Sequence, residues 1–428
     1  MSATECPREV KRQRVDALAD VPPASTDKGL DAPSVSSRPL HPQSDPRMPN
    51  FANGLFLAPM VRIGSLPTRL LALQYGADLV WTPEVVDRAL IGTTRVENKN
   101  GEVEYLKDGR QIFSCHPIER PYLIHQLGSS TPEYAAQAVE HVTRHDDVAG
   151  VDLNCGCPKP FSTLGGMGSN LLTMPSLLCD ILRAMRSVAP PHVSVTCKIR
   201  LLPTDEATFA LVEQIVRSRT VRAITIHCRT KDMRPREAAL LHRFRSVADH
   251  IAAVARETGQ EVDVVCNGDC FGMEEVPRIR ELTGASSLML ARAAEANPSC
   301  FAKERACSAT AIAPQWMRYA VWLDNPFGNT KYCITQLALT PSAGASAAFA
   351  MATAASGSGS HGGSAAPHVS PLSKRELNEM RTALSSTKTN EDICAVLHLP
   401  WPLEVGTDDE VLAPLRAALA QRRNACVN

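Results

Sequence analysis

The 428 residues carry 45 Lys and Arg against 45 Asp and Glu, with 44% hydrophobic and 21% charged side chains. That balance suits a globular protein with a large buried core, and it excludes a chain whose net charge alone would draw a polyanion. Fourteen cysteines lack the dense spacing of a disulfide scaffold, and no apolar run approaches the roughly 18–20 residues of a membrane span, so we expect a reduced, soluble, cytoplasmic monomer with no membrane partner.

Residues 1–50 are rich in Pro, Ser, Asp and Arg without periodicity, which predicts a disordered arm. The cluster Lys11, Arg12, Gln13, Arg14 reads as part of that arm, with a nuclear address as the other reading. From Leu55 onward, short apolar runs alternate with segments whose apolar residues fall three and four apart. The runs are LFLAPM at 55, ADLVWTPE at 77, YLIHQLG at 122, GVDLNCG at 150, VSVTCKIR at 193, AITIHCR at 223, VDVVCNGD at 262 and SLMLARA at 287. Eight strand-like runs alternating with helices predict a (β/α)8 TIM barrel over residues 51–305, with a doubly wound open sheet as the alternative.

After residue 305 the pattern becomes helical. WMRYAVWLDN and TKYCITQLAL precede a stretch at 341–371 made of small residues that offers little to bury. Beyond it, the segments starting at Ser373, Thr389 and Thr407 each place an acid three residues on, as a capping box does. Residues 306–428 are therefore expected to form a helical domain interrupted by a low-complexity linker. From residue 300 on there are 11 Lys and Arg against 10 Asp and Glu, so a basic surface there must come from placement.

Nearly every predicted strand ends in residues that a packed core does not use. These are Pro59 and Met60, Glu84, Gln126, Asn154 with Cys157, Lys198, His227 with Arg229, Asn267 with Gly268, and Ala291 with Arg292. A barrel brings the C-terminal ends of its strands to one face, so this set should converge.

The pair Cys155 and Cys157 lacks the second ligand pair that zinc needs, and it is not a CxxC redox motif, so no metal is expected. Cys155 reads as a buried inert thiol. Cys157 stands at the strand exit before Pro158 and a loop with Gly165, Gly166 and Gly168, where a thiol can act as nucleophile or as general acid. Lys198, His227 and Arg229 suit an anion, and the amides Gln126 and Asn154 suit a heterocycle with donors and acceptors. The ends of the seventh and eighth strands are where barrels often hold phosphate. Flavin mononucleotide (FMN) would meet all of these demands.

The segments LAPMVRIGSLPTRLLALQYGADLVWTPE, HQLGS, DLNCGCPKPFSTLGGMGSNLL, CKIRLLP, ITIHCRT, CNGD and MLARAAEANPSCF resemble the FMN-dependent tRNA-dihydrouridine synthases. The Ser, Thr and GGMG after the cysteine resemble the eukaryotic branch acting at position 20 of the D-loop, and RYAVWLDNPFGNTKYC is similar to the start of its helical tRNA-binding domain. The resemblance implies that Cys157 is the catalytic acid. It places flavin contacts on Pro59, Met60, Val61, Gln126, Lys198, His227, Asn267, Gly268, Asp269, Ala291 and Arg292, with Glu84 and Asn154 added. It also implies NADPH as reductant, hydride delivery to uracil C6, proton delivery from Cys157 to C5, and a target base swung out of the tRNA stack.

Three positions depart from the family pattern: Cys228 and Asp269 stand where glycines are expected, and Cys155 replaces a residue that is usually apolar, a change expected to be harmless. The double-stranded-RNA-binding domain of some animal members is not expected here, which leaves tRNA affinity to the barrel mouth, the helical domain and the arm. The competing readings are an FMN-dependent dehydrogenase of a free pyrimidine and a tRNA-binding protein without catalysis.

Overall fold

The computed structural model describes residues 45, 47–304, 306–339 and 374–425. The predicted arm up to residue 44, the stretch at 341–371 and Ser373 of the first predicted capping box lie outside the described residues.

Eight parallel strands close into a barrel: β1 Leu55–Leu57, β2 Leu79–Trp81, β3 Leu123–Gly128, β4 Gly150–Cys155, β5 Ser194–Arg200, β6 Ala223–His227, β7 Asp263–Asn267 and β8 Ser287–Leu290. Each pairs with the next, and β8 returns to β1, which rules out the open-sheet alternative. All eight fall within the predicted runs. Successive side chains on a strand point to opposite faces, so one buried set fixes the other. Val151, Leu153 and Cys155 of β4 and Val195, Cys197 and Ile199 of β5 face the surrounding helices and join the large outer core. Asp152, Asn154, Thr196 and Lys198 must then point inward, with Asn154 opposite Lys198 in the register.

The lower interior is plugged by apolar side chains. Phe56, Leu79, Trp81, Ile124, Ala223, Val265 and Met289 form a separate core there. Phe51 seals its floor, with its ring 6.3 Å from those of Phe56 and Trp81. Burying each such side chain contributes roughly 1.5–3 kcal/mol. The barrel is thus solid below and polar above, which confines chemistry to the upper face.

Four of the segments between the strands form the helices Leu66–Tyr75, Pro132–Thr143, Pro175–Val188 and Asp205–Arg217. Proline sits in the first turn of the first three, where the missing N–H costs nothing, and Thr204 caps the fourth through the Ala207 amide. One element has no counterpart in the sequence reading. A three-stranded antiparallel sheet, Thr94–Glu97, Val103–Lys107 and Arg110–Cys115, is inserted between β2 and β3. Its anchor is the fully buried Asp147, which accepts from Tyr105 Oη at 2.7 Å and pairs with Arg95 and Arg120.

The C-terminal region is helical, as expected, in Ala309–Trp322, Phe327–Leu339, Lys374–Ser386, Asn390–Val396 and Asp408–Ala425. Thr389 with Asp392 and Thr407 with Glu410 make reciprocal caps. Ala309–Trp322 and Asp408–Ala425 pack on the first barrel helix, and Lys374–Ser386 and Asn390–Val396 pack on Phe327–Leu339. Trp316 Nε1 donates to Thr68 Oγ1 at 3.0 Å, Tyr319 Oη donates to Gln74 at 3.0 Å, and Arg422 donates to the carbonyls of Leu73 and Ala77. Helix Phe327–Leu339 also reaches the mouth of the barrel, where Asn329 Nδ2 donates to Arg62 O at 2.7 Å and Arg62 lies over the Tyr332 ring.

Candidate active site

The inward positions at the top of β3 to β7 are Gln126, Asn154, Lys198, His227 and Asn267. Lys198 Nζ donates to Asn267 Oδ1 at 2.8 Å, and Asn267 Nδ2 donates to Met289 O at 2.8 Å, so the amide of Asn267 has a fixed sense. Burial and the neighbouring Arg200 lower the Lys198 ammonium to about 7. His227 is held well below its ordinary value by burial and by Lys198, Arg200, Arg229 and Arg292, so it is neutral at physiological pH and offers one donor and one acceptor.

Beneath this layer lies Asp152, fully buried, which the sequence reading passed over. Gln126 Nε2 donates to its Oδ2 at 2.8 Å and Thr196 Oγ1 to its Oδ1 at 2.7 Å. Burial raises its carboxyl to about 6, opposed by those two hydrogen bonds and by Lys198. Gln126 spends one N–H on Asp152, which leaves its carbonyl oxygen and its second N–H for a ligand.

Beside β6, β7 and β8 opens a cavity of about 850 Å³. Six cationic side chains line it, namely Lys159, Arg200, Arg229, Lys231, Arg234 and Arg292, against Asp232 and Asp269. His227, Asn267, Gly268 and Ala291 complete the inner wall. Asp269 joins two of the cations: Arg229 Nη2 donates to its Oδ1 at 2.5 Å, Arg292 pairs with the same oxygen, and the Ala239 amide donates to Oδ2 at 2.6 Å. It adopts φ +32°, a region that Gly, Asn and Asp enter more readily than other residues. The substitution of Asp for the expected Gly therefore puts a carboxylate at the cavity wall, paired to both arginines. The other departure from glycine has no such effect. Cys228 is fully buried in the outer core with its Sγ 3.9 Å from that of Cys266, so it does not crowd the cavity.

Cys157 follows β4 on a loop that forms the opposite wall of this cavity through Pro158, Lys159, Pro160, Thr163, Ser169 and Asn170. The amides of Gly156 and Cys157 donate to Asn154 Oδ1 at 2.9 and 3.2 Å, which turns the chain directly after the strand. Arg200, a second residue the sequence reading did not single out, donates from Nε to Gly156 O at 2.6 Å. The glycine-rich stretch is built as two short helical turns, Pro160–Thr163 and Gly168–Thr173, closed by the bond from Ser169 N to Cys157 O at 2.9 Å.

Gly168 is required by that closure. It has φ +62°, and a Cβ there would lie 2.5 Å from both Cys157 O and Ser162 Oγ. Gly168→Ala should cost about 1–3 kcal/mol in urea unfolding and displace Cys157, lowering turnover as well.

The remaining predicted site residues divide in two. Pro59 and Met60, half-buried, and Val61, exposed, follow β1 at the same rim, on a loop held by the bond from Gly64 N to Met60 O at 2.9 Å. Glu84 sits on the far side of the Cys157 loop, where Ser162 Oγ donates to its Oε1 at 3.0 Å, and it does not line the large cavity. Cys155 is fully buried among outward-facing residues, in agreement with its reading as a packing thiol.

A family model described as Dihydrouridine synthase (Dus) matches residues 56–337. The tRNA-dihydrouridine(20) synthase of Schizosaccharomyces pombe is 45% identical over 296 residues, which cover 67% of this chain and 60% of that one. The tRNA-dihydrouridine(20) synthase of Saccharomyces cerevisiae is 36% identical over 312 residues, covering 68% and 78%. A tRNA-dihydrouridine(20a/20b) synthase-like protein of Homo sapiens is 27% identical over 271 residues, covering 63% and 77%. The match thus spans less than two thirds of the fission-yeast relative's length. The polar strand ends, the cysteine loop and the extent of the family match lead to one conclusion: this chain belongs to the dihydrouridine synthase family.

Proposed function

We propose that the protein reduces the C5–C6 bond of a D-loop uridine in tRNA, at position 20, using FMN and NADPH. The observation that carries this reading is a thiol-bearing loop forming one wall of a cavity of about 850 Å³ whose cations outnumber its acids six to two. An anionic, ring-bearing ligand fits that chemistry, and the two yeast relatives with the highest identities given above are named for position 20.

The donor set fits FMN. Arg229, Arg292 and the main chain at Gly268 and Ala291 would hold the phosphate, with Asp269 giving up part of its arginine pairing. Gln126, Asn154, Lys198, His227 and Asn267 would face the ring system, and Pro59, Met60 and Val61 its edge at the rim. When bound, the flavin supplies the hydride that NADPH provides. Cys157 supplies the proton: its S–H gives H⁺ to C5, and the bonding pair stays on sulfur. Burial raises this thiol above its ordinary value, with the nearby Glu84 acting in the same direction, so it is S–H at neutral pH, as an acid must be.

Residues 51–305 would then form the catalytic domain, and the helices after residue 306 would bind tRNA. The contacts of Asn329 and Tyr332 with Arg62 support this, because RNA lying on that helix would reach the rim. Among the described residues no helix is long and apolar enough to cross a membrane. A monomer working in the cytoplasm, with the nucleus as a second location, completes the reading.

The purified protein should show a flavin absorbance spectrum, release FMN on denaturation, and act on tRNA in preference to free uridine. Colourless protein that cannot be reconstituted with FMN would contradict the proposal. Equal turnover of free uridine would favour the free-pyrimidine reading instead.

A further inference from the structure

The turn at residues 60–64, between β1 and the first barrel helix, is closed by the bond from Gly64 N to Met60 O at 2.9 Å, and within it Arg62 adopts φ +70°. Arginine enters this left-handed region at a cost, and such strain persists only where the surroundings impose it. Here one face of helix Phe327–Leu339 does so. Asn329, Tyr332 and Cys333 are three and four residues apart, so their side chains emerge on the same side. Asn329 Nδ2 and Cys333 Sγ both donate to Arg62 O, at 2.7 and 3.5 Å, and the Arg62 guanidinium lies over the Tyr332 ring, 5.2 Å from its centroid. Asn325 Nδ2 donates to Asn329 Oδ1 at 3.1 Å, which fixes the sense of the Asn329 amide toward Arg62.

This clamp holds an exposed guanidinium in place and gives it nothing to pair with. Among the described residues the Arg62 side chain makes no hydrogen bond and no ion pair. The other arginines at this end of the barrel are engaged: Arg69 with Glu119, and Arg229 and Arg292 with Asp269. Stacking on a ring uses the face of a guanidinium and leaves its edge of N–H donors free, the edge that matches a phosphate. Arg62 does not line the large cavity, so it is not one of the cations offered there to the flavin phosphate. It borders a second cavity of about 250 Å³ between the rim, the inserted sheet and the C-terminal helices. Glu84 and Glu102 also line that cavity and disfavour an anion inside it, which leaves the solvent side of Arg62 for one.

We propose that Arg62 is a backbone anchor for tRNA: its free N–H edge, presented by the Tyr332 ring and by the clamp of Asn329 and Cys333 on its carbonyl, takes one phosphate of the strand that carries the target uridine. The inference rests on the reading of tRNA as the substrate. Two observations favour a polynucleotide phosphate over a free small anion. The guanidinium is open to solvent rather than enclosed, and it stands where the rim of the barrel meets a C-terminal helix, so a strand crossing from one to the other passes over it. Val61 and Met60 precede it at the same rim, which puts the anchored phosphate beside the nucleotide that enters the site. A contact to phosphate carries no base information, so Arg62 sets the register of the strand and leaves the choice of base to the pocket.

The test measures binding of unmodified tRNA to the full-length, FMN-loaded protein by fluorescence anisotropy across a range of salt concentrations. Arg62→Gly removes the side chain and suits the left-handed backbone, so the urea midpoint should stay close to wild type. Its tRNA affinity should fall several-fold, and the slope of log affinity against log salt should shrink by about 0.7–0.9, the counterion release of one phosphate contact. Arg62→Lys keeps the charge without the planar edge, so the slope should stay near wild type with an intermediate affinity. Tyr332→Leu keeps the arginine without its platform and should behave in the same way. FMN affinity and the reduction of bound flavin by NADPH in the absence of tRNA should be unchanged in Arg62→Gly. Wild-type affinity and slope in Arg62→Gly overturn the inference, as does weaker binding with an unchanged slope, the mark of a purely structural role. A loss confined to FMN binding or to the reaction with NADPH would assign Arg62 to a cofactor phosphate and also overturn it. Binding is read without turnover. Wild-type protein that binds tRNA through Arg62 and forms no dihydrouridine contradicts the proposed function and leaves the anchor standing, whereas wild type that reduces tRNA, beside an Arg62→Gly variant that binds it equally well, contradicts the anchor alone. Wild-type protein that binds no tRNA overturns both.

Discussion

Cys157→Ala is expected to lower dihydrouridine formation by about 10²–10⁴-fold, the usual contribution of a positioned general acid, while flavin content stays at the wild-type level. The separation of the two effects follows from the geometry. The cavity's inner wall is made by His227, Asn267, Gly268, Ala291 and Arg292, and none of these depends on the Cys157 side chain. The loop is shaped by main-chain bonds, from Gly156 N and Cys157 N to Asn154 and from Ser169 N to Cys157 O, which an alanine retains. Single-turnover reduction of an unmodified tRNA transcript, with flavin content measured in parallel, checks both halves. Cys155→Ala is the control. Its thiol is fully buried on the outer face of β4, so activity should remain near wild type, and comparable inactivation would mean that the two cysteines had been assigned the wrong way round.

Replacement of Arg69 should produce the largest loss of stability. Arg69 and Glu119 are both almost wholly buried and form a two-pronged pair, Nε to Oε2 at 2.9 Å and Nη2 to Oε1 at 2.7 Å. The same guanidinium donates to Gly64 O and Ser114 O, both at 2.7 Å. One side chain thereby ties the first barrel helix to the loop after β1, to the end of the inserted sheet and to the turn before β3. Arg69→Met removes the charge and leaves Glu119 and two carbonyls without their donor, a change that costs about 3–5 kcal/mol when one partner of a buried pair is deleted. Because Gly64 ends the loop that carries Pro59, Met60 and Val61, flavin affinity should fall as well. Urea unfolding of the single variant and of Arg69→Met with Glu119→Gln separates the causes. The double variant should recover part of the loss, because it no longer buries an unpaired carboxylate.

The barrel was legible because its strands combine two signals, apolar runs flanked by helical periodicity and polar residues at their C-terminal ends. The period of two also contained more than was taken from it. Asp152 stands two residues before Asn154 and so must share its inward face, yet a carboxylate in the middle of an apolar run did not register as a functional position. Arg200 stands in the same relation to Lys198 and was likewise missed. The inserted sheet was not legible for a physical reason. Its first strand, Thr94–Glu97, is largely exposed, and the bulge between Tyr105 and Leu106 breaks the alternation of the second. Its stability comes from long-range pairing of Tyr105, Arg95 and Arg120 with Asp147, which no local pattern announces. The roles of Cys228 and Asp269 depended on which face each residue joins. Cys228 turns into the outer core, whereas Asp269 turns into the cavity, and two neighbouring substitutions of the expected glycines thus have opposite meanings.

The central claim is that this chain reduces one uridine of tRNA with Cys157 as the acid. Its most direct test incubates the purified, FMN-loaded protein and its Cys157→Ala variant with NADPH and unmodified tRNA, then maps dihydrouridine along the product. The account predicts dihydrouridine at position 20 of the D-loop with wild type and almost none with the variant. Equal product from both proteins, or no reduction of tRNA by wild type that holds its flavin, would contradict it.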